Sequence, residues 1–267
     1  MNNDLLQKVL DANAQAHNEG ARYHIRAVPY ISRKQTREYY WSLIKKSLKN
    51  NNKTFRDKNA LEIGCGTGTF LNLALKEQAK SFDGIDVSQE MIKIAKSQTK
   101  RDNVRFMVDS LESYATNNAC KYDIILSSSF LHHLTDLEKG IKLIKQMLKP
   151  GGIYIALHEE IKDRKQNSWE ILDLELQMLF GYCGNIKFSP LKRMRRFIYY
   201  MLGKIKEDFN SADNVNYVDY QMNFDFNLLN SVALKHGEVI PYSYFGFIEL
   251  LTFNKPLNYH MFVMIND

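Results

Sequence analysis

Between about residues 58 and 158, short apolar runs alternate with segments of helical periodicity, and this alternation limits the fold more than any other feature. Ala60-Leu61-Glu62-Ile63 reads as a strand, Thr69 to Gln78 as a helix and Ser81 to Val87 as a second strand. Gln89 to Thr99 then reads as a helix with Met91, Ile92 and Ala95 on its apolar side. Val104 to Val108, Tyr122 to Leu126 and Ile153 to Leu157 supply further strands. A helix over Leu137 to Leu148 is ended sharply by Lys149-Pro150-Gly151-Gly152. Such alternation requires parallel strands joined by right-handed crossovers. Ligands of open sheets of this kind sit beyond the carboxyl ends of the strands, so residues that follow each strand are the ones to inspect.

Four of these strand ends carry polar or glycine-rich signals. The first strand runs into Glu62-Ile63-Gly64-Cys65-Gly66-Thr67-Gly68, where glycines allow a tight turn and bring bare backbone close to a ligand. The spacing is not that of a dinucleotide loop, because Thr69 stands at the last glycine position, and the lysine of a P-loop is absent. Asp86 ends the second strand, 22 residues after Gly64. A carboxylate there can accept from both hydroxyls of a ribose, or it can share with Ser88 the capping of the next helix. Asp109 ends the third strand, where it can meet an exocyclic amine or cap the following turn. The fourth strand leads through Ser127-Ser128-Ser129-Phe130 into Leu131-His132-His133-Leu134.

Taken in order, Glu-x-Gly-x-Gly-x-Gly, two strand-tip aspartates, Asp123-Ile124-Ile125-Leu126 with Leu-His-His-Leu, and Leu148-Lys149-Pro150-Gly151-Gly152 resemble the class I S-adenosylmethionine-dependent methyltransferase family. The resemblance implies an α/β fold: a Rossmann-like seven-stranded sheet with helices on both faces, an N-terminal helical cover and a helical insert after the fifth strand. It divides the chain into a cover (1–56), a cofactor-binding core (57–160), a helical substrate or cover insert (161–236) and final strands completing the core sheet (237–267). Tyr259 to Ile265 would be the late antiparallel strand, with Glu238 to Tyr244 at its edge. S-adenosyl-L-methionine is the implied cofactor and S-adenosyl-L-homocysteine its product. By position, Gly64, Cys65, Gly66 and Gly68 should line the methionine portion, and Glu62 should anchor its ammonium. Asp86 should hold the ribose, with Val87 and Met91 against adenine. Asp109 should meet the adenine amine, with Ser110 or Leu111 supplying a backbone N–H, and Ser127 should lie beneath the cofactor. Tyr30 and Arg33 are the candidates from the cover to reach the carboxylate.

Methyl transfer from a sulfonium mainly needs orientation and a dry site, and a hydroxyl acceptor usually needs a base as well. His158 and Glu159, directly after the fifth strand, and His133, after the fourth, are the candidates. Acceptor classes narrow by elimination. The Asn/Asp-Pro-Pro-Tyr/Phe segment of amino-directed nucleic-acid enzymes is absent, and no cysteine has the proline context of a base C5 nucleophile. Net charge is +6, but seven Lys and Arg lie between Ile186 and Lys206 without an acid. Removing those seven from the 36 basic residues leaves 29 against 30 acids, which argues against a broad nucleic-acid surface.

The remaining expectation is O-methylation of a small molecule, a sugar or secondary metabolite. The insert, with Trp169, Phe180, Tyr182 and Phe188 among its aromatics, suits a lidded acceptor pocket, a helical subdomain core or a dimer interface. The stripe 186–206 reads as a cover helix with a solvated charged side. Alternatively it is a peripheral membrane contact of a lipid or quinone methyltransferase. An RNA methyltransferase or a non-catalytic cofactor-binding module stand behind these. Three widely spaced cysteines and the absence of a secretory-type N-terminus lead to an expected cytoplasmic setting without disulfides or metal.

Overall fold

The computed structural model describes residues 3–27, 34–159, 231, 235–244 and 257–266. Two long helices come first, α1 (Asn3–Ala27) and α2 (Lys34–Asn50). The core then runs β1 (Asn59–Ile63), α3 (Thr69–Ala74) with a 3-10 turn at Leu75–Glu77, β2 (Ser81–Asp86), α4 (Gln89–Gln98) and β3 (Val104–Val108). It continues through α5 (Leu111–Thr116), β4 (Tyr122–Ser128), a 3-10 turn at Leu131–His133, α6 (Leu137–Met147) and β5 (Leu148–Glu159). β6 (Glu238–Tyr244) and β7 (Leu257–Asn266) close the sheet. The insert expected over 161–236 falls almost wholly outside the described residues, as do the basic stripe and the aromatics within it.

The strand order is β3-β2-β1-β4-β5-β7-β6. Strands β1 to β5 pair in parallel, and β7 runs antiparallel to both β5 and β6. Because strand residues alternate sides, Ala60 faces one apolar layer and Leu61 the other. The first layer packs α2 (Tyr40, Trp41, Ile44) and α3 under the sheet. The second packs α6 through Leu137, Ile141, Ile144 and Met147, four residues at helical spacing. Burial on both faces explains why the strands read as continuous apolar runs rather than alternating ones.

Helix starts are fixed by local side chains. Ser88 Oγ accepts from the Met91 N–H at 3.2 Å, Ser110 Oγ from Ser113 at 3.2 Å, and Asp136 from Lys139 at 2.9 Å. Helix α5 is absent from the sequence reading; its six residues are too few to show a period. The Lys-Pro-Gly-Gly turn lies within β5, whose pairing with β4 shifts register between Tyr122 and Ile124.

After β1 the chain builds β2 and β3 on one side, then returns to place β4 on the other. The switch point therefore lies between β1 and β4, and the crevice opens at their carboxyl ends.

Candidate functional site

The glycine turn is the floor of that crevice. Gly64, Gly66 and Gly68 have φ of 65°, 50° and 76°, a left-handed backbone that a side chain would strain. Cys65 N–H donates to the Ile85 carbonyl at 3.0 Å, which ties the turn to the end of β2. Asp86 reinforces the tie: its carboxylate accepts from Gly66 N–H at 2.9 Å and Ser88 N–H at 2.8 Å. The helix cap belongs to Ser88 instead, so the capping reading of Asp86 fails. Burial pushes the Asp86 carboxyl up, with the nearby His17 and the two amides opposing.

One cavity, enclosing about 1170 Å³ of space partly open to solvent, gathers these groups. Its walls include Glu62 from the end of β1, Gly64, Cys65 and Gly66 from the turn, Asp86 and Val87 from the end of β2, and Met91 from the first turn of α4. Asp109, Ser110 and Leu111 come from the end of β3. Gly68 does not line it; it caps α3 in the left-handed conformation behind the turn. The Asp109 carboxylate accepts from the Ser110 N–H at 2.9 Å.

Glu62 is only 3% exposed, and its Oε2 has no hydrogen-bond partner. Burial pushes its carboxyl up to about 8; the Leu71 amide opposes this, and the Asp86 charge adds to it. Burial likewise pushes the Cys65 thiol up, which makes it an inert wall rather than a nucleophile.

Two further expected residues are placed elsewhere. Ser127 does not line the cavity: it is buried in β4 and shares a 2.7 Å hydrogen bond with the Tyr154 hydroxyl. One more residue along the strand reverses the facing, so Ser128 and Ser129 reach the cavity instead. Glu159 is fully buried and is not poised over an acceptor. Its Oε1 accepts from the N–H groups of Phe130 and Leu131, both at 3.0 Å, and its Oε2 lies 3.0 Å from His132 Nδ1. Glu159 thus braces the turn that carries His133, which does line the cavity. The side chain of His158 and the whole of Tyr30 and Arg33 lie outside the described residues.

Replacing Glu159 with alanine is expected to cost about 2–4 kcal/mol of stability, because two amides and an imidazole lose a buried acceptor together. Thermal unfolding followed by circular dichroism measures it. An unchanged melting temperature would refute the bracing role.

The cover contributes more than the sequence indicated. Leu6, Val9, Leu10, Asn13 and His17, on one face of α1, close the cavity from above. The His17 ring meets that of His133 edge-on, with centroids 5.7 Å apart. Asn18 docks the helix: its Oδ1 accepts from Ser88 Oγ at 2.7 Å and from Glu90 N–H at 3.1 Å. The available signal was the apolar spacing of Leu6, Val9 and Leu10, which is helical but says nothing of which surface it covers.

Residues 61–154 match a family model described as a methyltransferase domain. A ubiquinone biosynthesis O-methyltransferase of Coxiella burnetii is 32% identical over 101 residues, covering 37% of this chain and 42% of that one. A malonyl-[acyl-carrier protein] O-methyltransferase of Ilyobacter polytropus is 34% identical over 160 residues, 57% of this chain and 60% of its own. The chain therefore spans less than two thirds of the length of either relative. A solved structure from Listeria monocytogenes, assigned to the S-adenosylmethionine-dependent methyltransferases, shares the fold at a TM-score of 0.53 and 18% identity. That likeness covers 83% of this chain and 97% of the other. The ordered strand-end motifs thus meet in one crevice, within a segment that is similar to a methyltransferase domain.

Proposed function

We propose that the chain transfers a methyl group from S-adenosylmethionine to an oxygen of a small-molecule acceptor. The observation that carries this reading is that the glycine turn and both strand-tip aspartates, from three separate strands, line one cavity. The residues present fit the cofactor. A carboxylate oxygen buried without a partner, Glu62 Oε2, suits an ammonium, which would supply the missing donor. Asp86 has lone pairs left over after Gly66 and Ser88 and would accept the ribose hydroxyls. Val87 and Met91 offer apolar contact to the base, and Asp109 an acceptor for its amine. The Ser110 N–H is already engaged by Asp109, so the Leu111 amide, at the open start of α5, is the donor for a ring nitrogen.

When bound, the cofactor supplies an electrophilic methyl on a positively charged sulfur. The protein's work is then orientation and exclusion of water. The apolar face of α1 covers the cavity, while the glycine turn fixes the floor. His133, held by the turn that Glu159 braces, would take the acceptor's hydroxyl proton. The two O-methyltransferase relatives support oxygen as the accepting atom. A small molecule is supported by the partly closed cavity. Among the described residues no helix is long and apolar enough to cross a membrane, and no cluster of His, Cys, Asp and Glu could hold a metal ion.

Titration calorimetry with S-adenosylhomocysteine tests the reading. Below about 8 the Glu62 carboxyl holds a proton that must leave before the carboxylate can accept from an ammonium. Binding should therefore release a proton, and affinity should rise as pH climbs toward about 8. Glu62→Gln should bind more weakly and release none, as read from two buffers of different ionisation heat. Absence of binding by the unaltered protein would remove the proposed function.

A further inference from the structure

Asn13 is an anomaly on α1. Its neighbours on the cavity face, Leu6, Val9 and Leu10, are apolar, and a leucine at 13 would extend that stripe. Asparagine is a poor residue for a helix interior, since its amide competes for backbone hydrogen bonds. Asn13 is nevertheless 5% exposed, and its Oδ1 is buried without a hydrogen-bond partner. A buried amide oxygen without a donor is unfavourable, and a bound donor would relieve that cost.

The location narrows the donor. Asn13 lies one turn before His17, which packs on His133 at the end of β4 and influences Asp86 at the end of β2. Asn18, a further residue along, pins this part of the helix to the start of α4. Asn13 therefore lies on a segment whose position is fixed. The same cavity holds a second buried oxygen without a partner, Glu62 Oε2, at the entry to the glycine turn. Two acceptors, both more than nine-tenths buried and both lining one cavity, call for a group with several N–H donors.

We propose that Asn13 is a binding residue that accepts a hydrogen bond from the ammonium of the cofactor's amino-acid portion, making α1 part of the site and not only its cover. The inference rests on the cofactor reading above and adds to it a residue from outside the core. Glu62 takes the ammonium from the floor and Asn13 from the roof. Ligand occupancy and docking of α1 then stabilise each other, because the contact exists only when both are in place.

Calorimetry on the full chain with two probes separates this from a packing effect. S-adenosylhomocysteine carries the amino-acid portion, whereas methylthioadenosine keeps the nucleoside and lacks it. Asn13→Ala should weaken S-adenosylhomocysteine binding about tenfold and leave methylthioadenosine within about twofold of the unaltered protein. Asn13→Asp, which keeps the acceptor and adds charge, should bind S-adenosylhomocysteine at least as tightly as the unaltered protein. Hydrogen exchange across α1 should slow on adding S-adenosylhomocysteine to the unaltered protein, and slow less in Asn13→Ala. Equal loss for both probes, or no loss for either, would overturn the assignment while leaving the cofactor reading intact. Failure of the unaltered protein to bind either probe would overturn both.

Discussion

Asp86→Ala should weaken S-adenosylhomocysteine binding about a hundredfold, and methylthioadenosine binding by a similar factor, because both carry the ribose. Two losses combine. The ribose hydroxyls lose their acceptor, and each stranded polar group in a dry site costs about 1–3 kcal/mol. The floor also loosens, because Asp86 is what joins Gly66 N–H to Ser88 N–H across the crevice. Three left-handed glycines within five residues do not hold one conformation unaided. The pattern differs from that of Asn13, whose effect is confined to the probe with an amino-acid portion. Near-normal binding of both probes by Asp86→Ala would mean the nucleoside lies elsewhere in the cavity. Intact far-ultraviolet circular dichroism would show that the variant had folded.

The sequence made the core legible because its constraints are local and repeat. Each parallel strand is an apolar run, each is followed by a chemically distinctive residue, and the topology brings those residues to one edge. Glu62, the glycine turn, Asp86 and Asp109 could be placed this way before any coordinates. Residues whose direction depends on one step of strand register were harder. Ser127 and Ser128 are indistinguishable by type, yet one bonds Tyr154 inside the second apolar layer and the other lines the cavity. Glu159 was misread for a related reason. A carboxylate just past a strand end resembles a base, and only the fold reveals two amides and an imidazole already waiting for it. The α1 contribution was illegible because Asn13 and His17 are some fifty residues from the glycine turn, and no periodicity in a helix states which surface it covers.

Asp83→Leu should cost about 2–4 kcal/mol of stability, a melting temperature lower by roughly 5–15 °C, although Asp83 touches no part of the cavity. The residue sits in β2, three positions before Asp86, and is 1% exposed. Arg105 of β3 reaches it with two donors, at 2.9 and 2.7 Å, and the Tyr122 hydroxyl of β4 donates at 2.6 Å. The Tyr114 hydroxyl of α5 donates at 3.2 Å, and Lys121 Nζ lies 3.3 Å away. One carboxylate therefore joins β2, β3, β4 and α5 beneath the strands whose ends form the site. Burial alone would raise its pKa. The hydrogen bonds from Arg105 and Tyr122 and the charges of Arg105 and Lys121 outweigh that and hold it below the ordinary 3.8. The same burial, with Asp83 as acceptor, pushes the Tyr114 hydroxyl up to about 12, so it remains a donor at any working pH. The expected cost stays below that of a wholly buried ion pair because the Arg105 side chain is 59% exposed and regains water when its partner is lost. The pH dependence has a fixed sign. The folded carboxyl is more acidic than the unfolded one, so the unfolded chain binds more protons in the interval between them, and stability rises with pH there. The contribution is complete above about 3.8 and vanishes as pH falls through the lowered folded value. The gap in melting temperature between the unaltered protein and Asp83→Leu should accordingly be constant near neutrality and shrink in acid. A variant melting within a degree of the unaltered protein at neutral pH would show that the four-element junction carries no net stability.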